Sequence, residues 1–258
     1  MISKAHIKKI RSLGQKKYRY QHKLFVAEGD KLVDTFINSK RWEVKEIFAK
    51  KEWIKKQLSG DEDHAGNINE VSYEELKKIS FLKTPHNVLA LITLPVGKSI
   101  PPPSGDEWTL VLENIQDPGN LGTMIRIAAW FGISKVICSP DSVDVFNPKV
   151  IQASMGALTL VDVFYTGLDI WLHQANNQGI PVYGTILDGE DIFASIIEKK
   201  GVILLGNESK GISPVLTKVI TYPLTIPGRQ TASMFINSLN LSTAAAIVCA
   251  ELTRKIPA

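Results

Sequence analysis

The chain has 258 residues, 44% hydrophobic and 22% charged, enough apolar content to bury one large core or two modest ones. No stretch approaches the roughly 18 apolar residues of a membrane span, and no apolar run follows Lys4, Lys8 and Lys9 as an export signal requires, so a cytoplasmic protein without membrane insertion is expected. Cys138 and Cys249 stand apart, without CxxC spacing or neighbouring histidines, which argues against a disulfide framework and against a zinc site.

The formal charge of +4 is divided unevenly along the chain. Residues 1–104 carry 20 Lys+Arg against 12 Asp+Glu, 20 − 12 = +8, and residues 105–258 carry 10 against 14, 10 − 14 = −4. Within residues 1–23 there are eight Lys or Arg and no acid, interleaved with His6, Tyr18, Tyr20 and His22. Lys8, Lys9, Arg11, Lys16, Lys17 and Arg19 are the candidate contacts to RNA, cations for phosphates beside rings for stacking. A solvated, frayed basic helix would read the same way.

Apolar stretches at 24–26 and 88–92 alternate with helical patterns at 30–37 and 73–79, which predicts a small α/β domain. Residues 94–108, with Pro95, Gly97, Pro101, Pro102, Pro103, Ser104 and Gly105, sustain neither a helix nor a central strand and read as a linker. Beyond it, strand candidates fall at 109–112, 135–138, 161–165, 181–186, 201–205 and 222–226, with helical patterns at 120–131, 149–156, 170–178 and 238–254. Such alternation predicts a mostly parallel sheet covered on both faces, with ligands in loops at the carboxyl ends of strands.

Three of those loops carry chemistry-bearing residues. The first, residues 113–122, runs from a strand into a helix, with Asn120 as the expected N-cap and Arg126 two turns in, a planar five-donor fork suited to a phosphate or a developing oxyanion. A capped turn followed by a surface arginine is the plain alternative. The second, residues 204–211, places Asn207 and Glu208 between Gly206 and Gly211; it is no P-loop, because Ile212 and Ser213 follow. A tight turn that needs glycine would look alike. The third joins Ile226 and Pro227 to Ser238, Leu239, Asn240, Leu241 and Ser242 at a helix start, where outward backbone N–H groups bind anions, or are simply capped. GxGxxG occurs nowhere, which weighs against a dinucleotide oxidoreductase.

In this order the strings 114–126, 205–211 and 226–227 with 238–242 resemble the three motifs of the SpoU (TrmH-like) branch of the SPOUT methyltransferases. Residues 16–29 and 82–85 before 88–94 resemble the ribosomal-protein-like RNA-binding domain often fused ahead of that catalytic domain. The resemblance implies an RNA substrate-binding domain at 1–100 and a catalytic domain at 106–258 with a deep trefoil knot, an exception to the rule against knots. It also implies a homodimer that transfers methyl from S-adenosylmethionine to a ribose 2′-hydroxyl, in ribosomal RNA before transfer RNA. A non-catalytic RNA-binding relative is the other reading. Carried onto this chain, the resemblance assigns Arg126 to catalysis with Asn120, Glu208, Ser238 and Asn240, and the cofactor to Leu205, Gly206, Asn207, Gly211, Ile226 and Leu239. The ten residues 228–237 exceed the family's usual loop, and Asn237 replaces a common acid.

Overall fold

The computed structural model describes residues 2–58, 67–97, 99–197, 199–228 and 238–256. In chain order its elements are α1 (Lys4–Ser12), α2 (Lys16–His22), β1 (Leu24–Glu28), α3 (Asp30–Asn38), β2 (Val44–Ala49), α4 (Lys51–Leu58), β3 (Asn67–Glu70), α5 (Tyr73–Ile79) and β4 (Val88–Thr93). There follow β5 (Thr109–Leu112), α6 (Pro118–Trp130), β6 (Lys135–Cys138), α7 (Pro148–Ser154), β7 (Asp162–Tyr165), α8 (Leu168–Asn177), β8 (Val182–Asp191), β9 (Val202–Leu205), α9 (Pro214–Thr217), β10 (Tyr222–Thr225) and α10 (Leu241–Lys255). They form two compact units, Met1–Gly97 with Asp144–Thr159, and Lys98–Val143 with Leu160–Ala258.

The first unit holds a sheet ordered β1-β4-β2-β3, antiparallel except for the β2/β3 pair. Every residue of β1 is buried, because both faces of the strand are covered. Leu24, Val26, Phe48, Leu89 and Leu91 pack on Ile10 and Leu13 from the N-terminal helix and on Leu76 and Ile79 of α5. On the opposite face, by strand alternation, Phe25 meets Phe36, Trp42 and Phe146 at ring-centroid distances of 5.6, 5.5 and 5.1 Å, within the range of favourable aromatic pairs. Phe146 belongs to the stretch 144–159, whose helix α7 packs on β1. The runs 1–100 and 106–258 read from the sequence differ from the compact units at this stretch.

One sequence expectation is corrected here. Arg19 is only 1% exposed and does not present its charge to an RNA. Its Nε and Nη2 both donate to Asp144 Oδ2, the former at 3.0 Å, and Nη1 donates to the Leu13 carbonyl at 2.8 Å. Tyr20 donates to the other oxygen of Asp144 at 3.2 Å; burial, then the Asp144 charge, pushes its phenol up to about 12. A charge buried on both sides survives only when paired and hydrogen-bonded, and this one is.

The second unit holds six parallel strands in the order β10-β8-β9-β5-β6-β7. Val111, Ile137, Val182, Val202 and Leu204 form a core with Trp171 and Leu172 of α8 and Leu216 of α9. Helices α6 and α10 contact each other and the strands β6 and β9, supplying the second layer. Strand β8 runs past the predicted end because its pairing with β10 resumes after a bulge: Pro223 faces Gly184 and the next residue, Leu224, faces Glu190. Among the described residues no helix is long and apolar enough to cross a membrane, and no group of three His, Cys, Asp or Glu could hold a metal.

Candidate active site

The three loops singled out in the sequence follow β5, β9 and β10, parallel strands of one sheet, so all leave its carboxyl edge. After β5, the Glu113 N–H donates to the Leu205 carbonyl at 2.9 Å and the Asn114 N–H to Ser139 Oγ at 2.7 Å. Helix α6 then begins two residues before the expected position. Asp117 is its N-cap, accepting from the Asn120 N–H at 2.8 Å, and Pro118 opens the first turn, where its fixed φ and missing N–H are tolerated. The expectation that Asn120 caps the helix is therefore corrected, and its side chain is released for other work.

That work is a hydrogen-bonded chain across all three loops. Asn120 Nδ2 donates to Glu208 Oε1 at 3.1 Å, and Asn120 Oδ1 accepts from Asn240 Nδ2 at 3.2 Å. Asn240 is the N-cap of α10, its Oδ1 accepting from the N–H groups of Ser242 at 3.0 Å and Thr243 at 3.3 Å and from Ser242 Oγ at 2.6 Å. Each of these two amides thus uses both its donor and its acceptor end, which fixes its orientation.

The middle loop is closed by reciprocal 2.9 Å bonds between the backbones of Asn207 and Gly211. Asn207 Oδ1 accepts from the N–H groups of Ser209 and Lys210, both at 3.0 Å, while Nδ2 donates to the Asn114 carbonyl at 2.8 Å and to Glu208 Oε2 at 3.3 Å. Gly206 cannot carry a side chain here, since a Cβ would lie 2.2 Å from the Gly211 carbonyl carbon. Glu113 adds a tie, accepting from the Ser213 N–H at 2.8 Å. Sequence reading missed Glu113 and Asp117 as organising residues; Asp before Pro-Gly was the signal available for the second.

The structure brings Asn120, Asn207, Glu208 and Asn240 together by hydrogen bonds, pairs Gly211 with Asn207 through the backbone, and gives Arg126 no bond to any of them. Arg126 is exposed and makes no hydrogen bond or ion pair with any described residue. Six residues along a helix advance the axis by about 9 Å and turn the side chain about 120° from that of Asn120, so the two leave α6 on different faces. Leu205 and Gly206 are buried at the end of β9, Gly211 is exposed at the far side of the turn, Ile226 is half-buried after β10, and Ser238 and Leu239 are exposed ahead of α10. The long-loop expectation at 228–237 falls, beyond Gly228, outside the described residues. Of the N-terminal candidates, Lys8, Lys9, Arg11, Lys16 and Lys17 are exposed. Lys16 and Lys17 sit over the rings of Tyr20 and Tyr18, 5.8 and 6.0 Å from their centroids, the basic and aromatic interleaving that phosphate and base contacts call for.

Glu208 supplies a carboxylate that Asn120 and Asn207 hold in place. A cavity of about 360 Å³ beside Asn176, Pro181, Tyr183 and Tyr222 lies at the opposite, amino end of β8 and takes no part in these loops.

The sequence model described as the SpoU rRNA Methylase family matches residues 107–250, and that of the MRM3-like substrate binding domain matches residues 4–90. The 23S rRNA (guanosine(2553)-2′-O)-methyltransferase RlmP of Bacillus subtilis is 28% identical over 247 residues, 95% of each chain. Among solved structures, a TrmH-family protein from Porphyromonas gingivalis superposes with a TM-score of 0.84 at 36% identity, covering 99% of both chains. An AdoMet-bound rRNA methyltransferase from Sinorhizobium meliloti superposes at 0.83 with 26% identity, covering 100% of this chain and 98% of that one.

Proposed function

This chain belongs to the SpoU rRNA methylase family, and from that premise we infer that it is an S-adenosylmethionine-dependent RNA methyltransferase that modifies a ribose 2′-hydroxyl of ribosomal RNA. The observation that carries the reading is the Glu208–Asn120–Asn240 chain, which ties three strand-end loops into one site. We propose that Leu205, Gly206, Asn207, Gly211, Ile226 and Leu239 would hold the cofactor, mostly through backbone, with Ile226 and Leu239 the apolar side chains at the third loop. The bound cofactor supplies an electrophilic methyl group on a sulfonium.

The protein's own part is positioning and electrostatics. A guanidinium stays protonated in proteins, so Arg126 is assigned no proton; it holds a substrate phosphate and stabilises alkoxide character as the 2′-hydroxyl passes its proton to solvent water. Asn120, Glu208 and Asn240 are positioning residues that keep the loops in register, and Ser238 lends a hydroxyl at the start of α10. The exposed lysines of α1 and α2 and Arg11 take the RNA backbone, a sequence-independent attraction.

A homodimer belongs to the same proposal. Arg126 leaves α6 on a different face from Asn120, and Trp130, one turn further on, is 82% exposed, an apolar surface suited to a second copy. Arg126 would then serve a cofactor held by the partner. The trefoil knot also remains part of the proposal, supported by β9 lying between β8 and β5 and by α10 returning to β9 and α6. A cytoplasmic location is part of the same proposal, supported by the likeness along the whole chain to the Bacillus subtilis enzyme.

The test is transfer of label from methyl-labelled S-adenosylmethionine to ribosomal RNA, followed by alkaline hydrolysis. A 2′-O-methyl group blocks cleavage of the adjoining phosphodiester, so label is expected in alkali-stable dinucleotides. Label in mononucleotides, or no transfer to any RNA, would overturn the reading.

A further inference from the structure

The first unit contains a cavity of about 350 Å³ that lies wholly within it, bounded by β1, the turn after α5 and one side of α7. Its floor includes Glu28, 5% exposed, a residue of the sequence string that pointed to an RNA-binding domain. Glu28 accepts from the Phe81 N–H at 2.8 Å and from Ser80 Oγ, two neutral donors, and no cation stands within salt-bridge distance of it among the described residues. An ionised carboxylate accommodates about four hydrogen bonds. Burial pushes the Glu28 carboxyl up, against the opposite pull of its hydrogen bonds from Ser80 and Phe81 and of His86 and Arg11.

The walls and rim are of different character. Phe81, Pro148 and Ala153 make an apolar enclosure, and Lys83 and Lys149 stand exposed at its edge without a side-chain partner among the described residues. An occupant must therefore be flat and apolar enough to enter, bring N–H donors to Glu28, and carry negative charge near the lysines. At about 350 Å³ the space sits at the lower end of ligand pockets, about 300–1,000 Å³, which suits a single nucleoside and excludes a duplex.

We propose that this cavity captures one unpaired nucleotide of the substrate RNA whose base carries an exocyclic amine, the amine donating to Glu28 and the flanking phosphates lying on Lys83 and Lys149. The inference rests on the RNA reading above and deepens it. A carboxylate accepts from the N4 amine of cytosine, whereas uracil presents a carbonyl oxygen at the same position, so the pocket distinguishes two bases of one shape.

The experiment measures fluorescence anisotropy of labelled hexacytidylate and hexauridylate titrated with the full chain. Wild type is expected to bind hexacytidylate about tenfold more tightly, and Glu28→Gln and Ala153→Leu, the second filling the cavity without touching a charge, to bring both affinities to the hexauridylate level. Equal wild-type affinities, or a preference that survives Ala153→Leu, would overturn the proposal. Should Glu28→Gln not fold, the wild-type comparison and Ala153→Leu decide it. Methylation of ribosomal RNA by wild type is scored separately: a cytidine preference without transfer defeats only the catalytic reading, and transfer without a preference defeats only the pocket.

Discussion

Two arginines that the sequence offers for work on RNA, Arg19 about one turn into α2 and Arg126 about two turns into α6, end in opposite surroundings. Arg19 on α2 is engaged: Asp144 and the Leu13 carbonyl accept three hydrogen bonds from it, and it is shut off from water. Arg126 on α6 is exposed, with every donor unfilled by its own described residues. A guanidinium buried and held by three hydrogen bonds inside the fold is not presented to a substrate, and one left open contributes little to folding. The pair separates what holds this protein together from what it works with.

Mutation sharpens that contrast, and the largest effect is expected at the buried member. Arg19→Ala strands Asp144 as an unpaired buried charge and is expected to cost about 3–5 kcal/mol of stability, read by urea unfolding. Replacing both partners with apolar residues of similar volume should restore most of it. If Arg19→Ala unfolds like wild type but loses RNA affinity, the contrast is broken. Arg126→Ala should lower methyl transfer by about 100- to 1,000-fold, about 2.7–4 kcal/mol in the transition state, with melting temperature and cofactor affinity unchanged. Near-normal turnover would remove Arg126 from the chemistry.

Smaller effects test the supports of each region. Asn240→Ala removes the cap of α10 and one link to Asn120, with an expected loss of about 1 kcal/mol in thermal unfolding. Asn240→Asp keeps the cap but cannot donate to Asn120, so unfolding should stay near wild type while cofactor affinity falls. In the first unit, N–H donation from Ser72 and then from Ile2 pushes the Glu75 carboxyl down to about 2 from an ordinary 4.5. A carboxyl depressed on folding contributes stability that is present above pH 4.5 and fades as pH falls toward 2. Glu75→Gln should flatten the acid limb of the stability profile in that window, and an unchanged limb would assign it to other carboxyls.

The sequence revealed elements where burial wrote a pattern. β5 and β6 match the predicted strands because residues 110–112 and 136–138 are apolar runs buried in the sheet, and α5 matches because Ser72 and Glu75 form a capping box at its start. β3 left no such mark: Asn-Ile-Asn-Glu pairs only with β2 at the sheet's edge, where polar residues suffice. At the site, residue types and order pointed to Asn120, Glu208 and Asn240, but the bonds among them depend on strands far apart in sequence becoming neighbours. Asn120 was misread as a cap for a local reason, since either Asp117 or Asn120 can begin a helix and Pro118 decides between them. Arg19 was misread for a tertiary one: its partner lies 125 residues away.

The stretch 144–159 has a consequence for how the protein is made. A ribosome that has released residues 1–97 has not yet delivered Asp144 to Arg19 or Phe146 to the Phe25–Trp42 cluster, so the N-terminal unit cannot finish folding when its own strands emerge. Completion waits for β5, α6 and β6 to be synthesised first, and a polypeptide truncated near residue 100 is expected to remain a loosely packed chain that proteases cut, however faithfully its gene is trimmed at the proline-rich linker.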